Sequence, residues 1–331
     1  MDKGDSWVAI SEDLTAGGKP GNVAYGTLTT ISESPFEFGL IYTGSDDGKI
    51  NVTKNAGGSW TDVSTSLPKD LWVSRVVASE HKKGRVYATL NGYRWDDFKA
   101  YVYVSDNYGQ TWKNISSNIP MSPVNVIVED PKKDNIIYIG TDNGAYVSMN
   151  GGGEYHAFAK ALPAVAIHDI KIQKRDNHLL LGTHGRSIYK ADLTVIQDRD
   201  SSKDVQLYSV NEVKSSPRWG SSWSKWLEPF EPSLNVNYYT SYAGKFSLVV
   251  QNKDGKELQR IPLTPQTGIN TAVYDMTITE KAKKLLEKEN SELDIQQQKN
   301  GKYYLPKGIY ILTLDGGGGN AKAASTTLEV K

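Results

Sequence analysis

The sequence predicts an all-β protein: β-propeller blades, forming a closed small ring or part of a larger propeller, followed by a β-sandwich with an inserted helix. Three observations carry this prediction. One turn motif recurs through roughly the first half of the 331 residues. Short β-branched and aromatic runs alternate with Gly/Asp/Asn turns around each copy. A polar run at 198–204 then separates this repeat from a second group of strand-like segments.

The motif is Ser/Thr-x-Asn/Asp-x-Gly-x-x-aromatic. It reads Thr53, Asn55, Gly57, Trp60; then Ser105, Asn107, Gly109, Trp112; then Ser148, Asn150, Gly152, Tyr155. The opening fits too, through Asp2, Gly4 and Trp7. The aromatic positions 7, 60, 112 and 155 set a period of 43 to 53 residues, the size of a propeller blade. Each unit also has a strand-like run before its hairpins, at 23–31, 72–78 and 124–128, which makes four strands per unit. The Asn or Asp side chain accepts backbone N–H bonds within its turn. The glycine permits a positive φ or a close approach, and the ring packs under the loop. Repeated turns of this kind stabilise a fold and need no substrate.

A further unit has strands at 167–173, 178–183 and 187–191 but no hairpin motif after them. Residues 7–11 are the expected outer strand of an interleaved closure. A closed four-bladed ring and part of a larger ring both fit this arithmetic. The propeller segment is expected over 1–197, beginning inside a motif.

Residues 205–331 predict the sandwich, with strands at 205–210, 234–240, 244–251, 257–262, 271–277 and 308–314. Asn252-Lys253-Asp254-Gly255 is a hairpin turn. Residues 279–290 predict a helix capped by Thr279, with Glu280–Lys284 and Lys283–Glu287 pairs one turn apart.

Composition excludes several function classes. Lys+Arg and Asp+Glu are both 38, which argues against a general nucleic-acid binder. There is no cysteine, so disulfides and thiolate metal sites are excluded. No apolar run approaches the 18 residues of a membrane span. The five histidines show no ligand spacing, so no metal and no cofactor are expected.

The repeats are identified as Asp-boxes. The stretches "IYTGSDDGKINVTKNAGGSW", "YVYVSDNYGQTWKNIS", "IIYIGTDNGAYVSMNGG" and "HDIKIQKRDNHLLLGTHGRSIYKADL" resemble the C-terminal part of bacterial sortilin/Vps10-like "glycosyl hydrolase, BNR repeat" proteins. "GINTAVYDM" and "LPKGIYILTLDG" resemble their immunoglobulin- or FlgD-like tail. The resemblance implies an extracytoplasmic bacterial protein, secreted, periplasmic or on the outer surface, with further propeller repeats upstream.

Candidate binding residues fall in three places. His168-Asp169 and His184-Gly185-Arg186 combine imidazole chemistry with a guanidinium suited to carboxylates; the alternative is a network fastening the last blade. Arg94-Trp95-Asp96-Asp97 is a distinctive insertion, with Arg and Trp favoured in recognition surfaces. Trp219 and Trp223, in "RWGSSWSKW", suit stacking on a sugar or peptide, or burying a long connection against the propeller. No carboxylate pair stands out for glycoside hydrolysis, and no catalytic residue is assigned. The expected function is non-catalytic binding of a protein, peptide or glycan, with another polypeptide a candidate for completing the propeller. A glycoside hydrolase using paired cleft carboxylates is the alternative.

Overall fold

The computed structural model describes residues 4–17, 26–158, 162–224, 226–316 and 324–331. The chain divides into two compact units, Met1–Gln197 and Asp198–Lys331.

The first unit is a series of antiparallel sheets, each wound in chain order from its innermost strand outward. Blade 1 holds β1 (Leu28–Glu33), β2 (Ile41–Ser45), β3 (Ile50–Thr53) and β4 (Thr61–Asp62). Blade 2 holds β5 (Trp72–Ala78), β6 (Val86–Gly92), β7 (Asp97–Ser105) and β8 (Lys113–Asn114). Blade 3 holds β9 (Val124–Glu129), β10 (Ile137–Thr141), β11 (Gly144–Ser148) and β12 (His156–Ala157). Blade 4 holds β13 (Ile167–Gln173), β14 (His178–Thr183) and β15 (Ile188–Asp192), followed by the short helix α1 (Thr194–Gln197).

The apolar residues of these strands pack between neighbouring blades rather than in one central core. Tyr42, Ile50, Val73 and Leu90 join blades 1 and 2. Val102, Val124, Ile137 and Ile139 join blades 2 and 3. Tyr138, Ile167, Leu179 and Leu181 join blades 3 and 4. Strands covered on both faces lose the in/out alternation: β6 and β10 are buried at every position. Blade 4 keeps it in β14 and β15, and β1 of blade 1 leaves Ile31 69% exposed.

The Asp-boxes perform the structural task read from the sequence. The Ser105 hydroxyl accepts the backbone N–H of Gly109 at 2.8 Å, and Asn107 Oδ1 accepts that of Thr111 at 2.9 Å. Thr53 with Asn55, and Ser148 with Asn150, repeat the arrangement. The box glycines lie at positive φ (95°, 84° and 90° at Gly57, Gly109 and Gly152). A Cβ there would press to within 2.4–2.8 Å of Ile10, Val63 and Ile115 respectively, each three residues past an aromatic of the motif. Trp60 Nε1 donates to the Ile10 carbonyl and Trp112 Nε1 to that of Val63, at 2.9 and 2.8 Å. Each box therefore rivets its blade to the end of the outer segment before it. The Asp2 position of the opening copy lies outside the described residues.

Two expectations are corrected. The first strand runs over Leu28–Glu33 rather than 23–31, and residues 23–25 lie outside the described residues. Residues 7–11 do not pair with β15; they form no strand and lie against the Asp-box of blade 1. Among the described residues the blades form no closed ring, because β15 has no fourth strand.

The second unit begins with β16 (Val205–Leu207), β17 (Leu234–Thr240), β18 (Phe246–Gln251), β19 (Glu257–Leu263) and β20 (Gly268–Tyr274). After β21 (Thr277–Ile278) come α2 (Glu280–Glu289), β22 (Tyr303–Tyr304), β23 (Gly308–Asp315) and β24 (Ala324–Val330). Sheets β16-β17-β20 and β19-β18-β23-β24 share one core that includes Val236, Tyr274, Leu248, Leu312 and Leu328. Pro262 is tolerated because β19 is an edge strand. The Thr279 hydroxyl caps α2 by accepting the N–H of Ala282 at 3.1 Å, and Ala282 and Leu286 face the core. Strand β24 was not anticipated: its Ser-Thr-Thr run looks polar, but Leu328 and Val330 alternate inward. Among the described residues no helix is long and apolar enough to cross a membrane.

Candidate functional site

The innermost strands of the four blades run parallel, since their side-chain bonds pair ascending positions. Thr29 Oγ1 donates to the Val73 carbonyl and Ser74 Oγ to that of Val124, each at 2.7 Å. Farther along, Ser79 Oγ donates to Glu129. Blade registers then sort the turns into two ends. Leu28 faces Ser45, Trp72 faces Asn91, Val124 faces Thr141, and Ile167 faces Thr183. The turns after β2, β6, β10 and β14 therefore share one end, the upper end, with the starts of the inner strands. The Asp-box turns dock at the opposite end, where Ala56, Tyr108 and Gly151 donate to Gly39, Gly84 and Asn135.

Six predicted site residues, Arg94, Trp95, His168, Asp169, His184 and Arg186, are thereby brought to the upper end of the first unit. Arg94 and Trp95 sit on a 3₁₀ turn, Tyr93–Trp95, between β6 and β7. Arg94 lies 5.2 Å over the Trp72 ring and 3.5 Å from the buried Asp46 carboxylate. Burial pushes the Asp46 carboxyl up, but hydrogen bonds from Thr27 and Gly26, with Arg94 beside it, hold it below the ordinary carboxylate range. Trp95 Nε1 donates to the Asp70 carbonyl at 2.9 Å while its ring remains 51% exposed. Tyr93 and Phe98 on the same hairpin are exposed as well. The Asp97 carboxylate accepts the Tyr101 hydroxyl at 2.7 Å, which lowers its pKa; burial and that bond push the Tyr101 phenol up to about 12. An amide relay links this hairpin to blade 3: Asn91 donates to Asn125, and Asn125 to Asp142.

On blade 4 the His168 and His184 rings stand 5.2 Å apart, tilted by 52°. Arg186 is exposed on the same turn, and its backbone N–H bonds Thr183 Oγ1. Asp169 instead turns to Arg75 of β5, at 2.9 Å. In the second unit Trp219 is buried, its ring 5.8 Å from that of Tyr304, whereas Trp223 is 91% exposed. Trp219 is therefore part of the second unit's own core.

A cavity of about 280 Å³ lies among the inner strands, lined by Ile31, Arg75, Ile127, Asp169 and Ile172 among others. Its acidic groups are engaged. Asp169 pairs with Arg75, and Glu80 with Lys174 at 2.5 Å. Glu129 accepts the Tyr87 hydroxyl, Ser79 Oγ and the Glu80 N–H. The lining residues include no aromatic side chain. A sugar-cleaving centre needs two opposed carboxylates beside the sugar, and this cavity offers carboxylates already bound to cations or hydroxyls. Among the described residues no acidic or histidine cluster is arranged to hold a metal ion.

Sequence reasoning missed Trp72, Tyr93 and Phe98 as surface-forming rings and Arg75 as the partner of Asp169. Arg75 and Asp169 lie 94 positions apart, so no local pattern joins them. Tyr93 and Phe98 carried a signal: with Trp95 they make three aromatic residues in or beside one insertion.

No family model matches the chain, and no curated protein matches it. Solved structures similar to it include the GH74 xyloglucanase of Xanthomonas campestris, at 10% identity and TM-score 0.41, covering 90% of this chain and 47% of that one. A GH74 enzyme of Niastella koreensis matches at 11% identity and TM-score 0.42, covering 91% and 47%. An ancestral GH74 enzyme matches at 14% identity and TM-score 0.41, covering 92% and 41%. The chain spans less than half the length of these structures. The likeness is to glycoside hydrolases with an all-β, multi-sheet fold, and at these scores it carries no argument about activity. It corrects the family expected from the sequence: the similar structures are GH74 enzymes, not sortilin/Vps10-like proteins with an immunoglobulin- or FlgD-like tail. The physical reason is that an Asp-box is a turn-stabilising device. It marks a way of joining blades and does not single out a family.

Proposed function

We propose that the protein engages a glycan through the upper end of its blades. One observation carries this reading: the β6–β7 hairpin holds Tyr93, Trp95 and Phe98 exposed together, at 55%, 51% and 44%. Flat rings held this way supply contact area at little entropic cost, with polar groups alongside for orientation. Arg94, fixed on Trp72 and Asp46, keeps the hairpin in place. His168, His184 and Arg186 supply polar contacts on the same end. The protein works outside the cytoplasm, where polysaccharides are met. Hydrolysis by paired cleft carboxylates is the second reading. One similar protein is named a xyloglucanase, so xyloglucan serves as the probe polysaccharide.

Binding to xyloglucan and to other β-glucans is measured by affinity electrophoresis and calorimetry, with reducing ends assayed in parallel. Trp95→Ala should weaken binding about tenfold, or roughly 1.4 kcal/mol, with the melting temperature nearly unchanged. Trp223→Ala should have no effect. A loss that follows Trp223 instead would move the site to the second unit. No retention on any glycan would sink the proposal. Release of reducing ends would establish the hydrolase reading.

A further inference from the structure

An asparagine followed by glycine can consume its own side-chain amide. The glycine nitrogen attacks the asparagine Cγ, and the glycine has no side chain to hinder the approach. The sequence carries four such pairs: Asn91-Gly92, Asn143-Gly144, Asn150-Gly151 and Asn300-Gly301. The attack requires Cγ to swing to near-attack distance from the next nitrogen. An amide held elsewhere by hydrogen bonds must break them first.

Three of the four are held. Asn91 is 3% exposed; its Nδ2 donates to Asn125 at 2.9 Å and its Oδ1 accepts the Tyr93 N–H at 3.0 Å. Asn150 Oδ1 accepts the Ser148 hydroxyl and the Glu154 N–H, each at 2.9 Å. Asn300 Nδ2 donates to Glu231 and to the Tyr304 hydroxyl at 3.0 and 2.9 Å, and its Oδ1 accepts the Lys302 N–H at 3.2 Å. Asn143 differs. It is exposed on the turn between β10 and β11, and among the described residues its side chain makes no hydrogen bond. Its backbone N–H bonds Thr141 Oγ1 at 3.1 Å, so the turn is fixed while the side chain is loose. Gly144 has φ 112°, and a Cβ added there would meet nothing within 4 Å, so there is open space beside the attacking residue.

We infer that Asn143 is a self-modification site whose reactants are its own amide and water. The Gly144 nitrogen bonds to Asn143 Cγ, and the side-chain amide nitrogen leaves as ammonia, taking up the Gly144 proton. Water then opens the five-membered imide at either carbonyl. One opening restores the main chain with aspartate at 143. The other routes the main chain through the side chain as isoaspartate. Both add a carboxylate beside Asp142, where the amide relay from Asn91 through Asn125 ends. The modification alters the upper end of the blades but does not depend on the glycan reading.

The whole chain is held folded in mildly alkaline buffer for days, beside a sample unfolded in denaturant. Both are digested and mapped by mass spectrometry, with aspartate and isoaspartate forms separated. In the folded chain Asn143 should convert at least about tenfold faster than Asn91, Asn150 and Asn300. In denaturant all four should convert at comparable rates, because local sequence alone then sets them. Asn143→Gln, which would have to close a six-membered ring, should keep the melting temperature and stay unmodified at 143. Faster conversion of any other pair in the folded chain would overturn the inference. So would an intact Asn143 under conditions that convert the unfolded chain, or aspartate formed without isoaspartate, the mark of direct hydrolysis.

Discussion

Ser105→Ala separates the structural role of the Asp-box from a role in ligand binding. The Ser105 side chain is 1% exposed. Its hydroxyl accepts the N–H groups of Gly109 and Asn107 and donates to Asn107 Oδ1, at 2.8, 3.3 and 2.9 Å. Alanine fits the strand but leaves the buried Gly109 N–H without its acceptor. That costs about 1–3 kcal/mol, and the lost Ser–Asn bond adds about 1 kcal/mol. The long 3.3 Å contact adds little. A total of roughly 2–4 kcal/mol in a domain of this size lowers the melting temperature by roughly 4–16 °C. Differential scanning calorimetry of the whole chain reads the shift, and exchange at the Gly109 amide locates it. Glycan affinity at a temperature where the variant is folded should stay within about twofold. A melting temperature within about 1 °C of the parent, or unchanged stability with binding lost, would refute the structural account.

Two further predictions concern acid and the independence of the units. Asp46 and Asp106 titrate below the ordinary carboxylate range; for Asp106 the Arg85 guanidinium is the main cause. Because the folded values are depressed, their stabilisation is complete above the unfolded value of about 3.9 and is lost as pH falls through the folded values. The melting temperature should hold between about pH 7 and 5 and fall below about 4; a decline already between 7 and 5 would refute the assignment to these carboxylates. Leu314→Ala, at a 0% exposed position of β23, should cost about 2–5 kcal/mol. It should shift only the transition of the second unit; an equal shift of both would show that the two melt together.

Much of the blade pattern was legible because it is written locally. The Asp-box Ser/Thr, Asn and Gly of each copy interact within four residues of one another. Strands such as Trp72–Ala78 and Leu234–Thr240 show their nature in β-branched and aromatic runs, and Thr279 announces its helix as a hydroxyl cap. The candidate residues Arg94, Trp95, His168, His184 and Arg186 were legible as residue types, but their convergence on one end was not. It depends on where each strand begins relative to its partner, which register decides. Trp219 and Trp223 show the limit most directly: two tryptophans four positions apart, one in the core and one in solvent. Nothing in the spacing separates them, because Tyr304, the ring that covers Trp219, lies far along the chain.

The sequence by itself determined the all-β class, the repeat and its period, and the turn chemistry. These depend on contacts within a few residues, which side-chain type and spacing encode. The tertiary structure decided where the blades stop pairing, that the opening segment lies on blade 1 instead of β15, and that the central carboxylates are already held by Arg75, Lys174 and Tyr87. Those outcomes rest on partners 42 to 94 positions apart. Packing between blades selects such partners, and no periodicity in the chain names them.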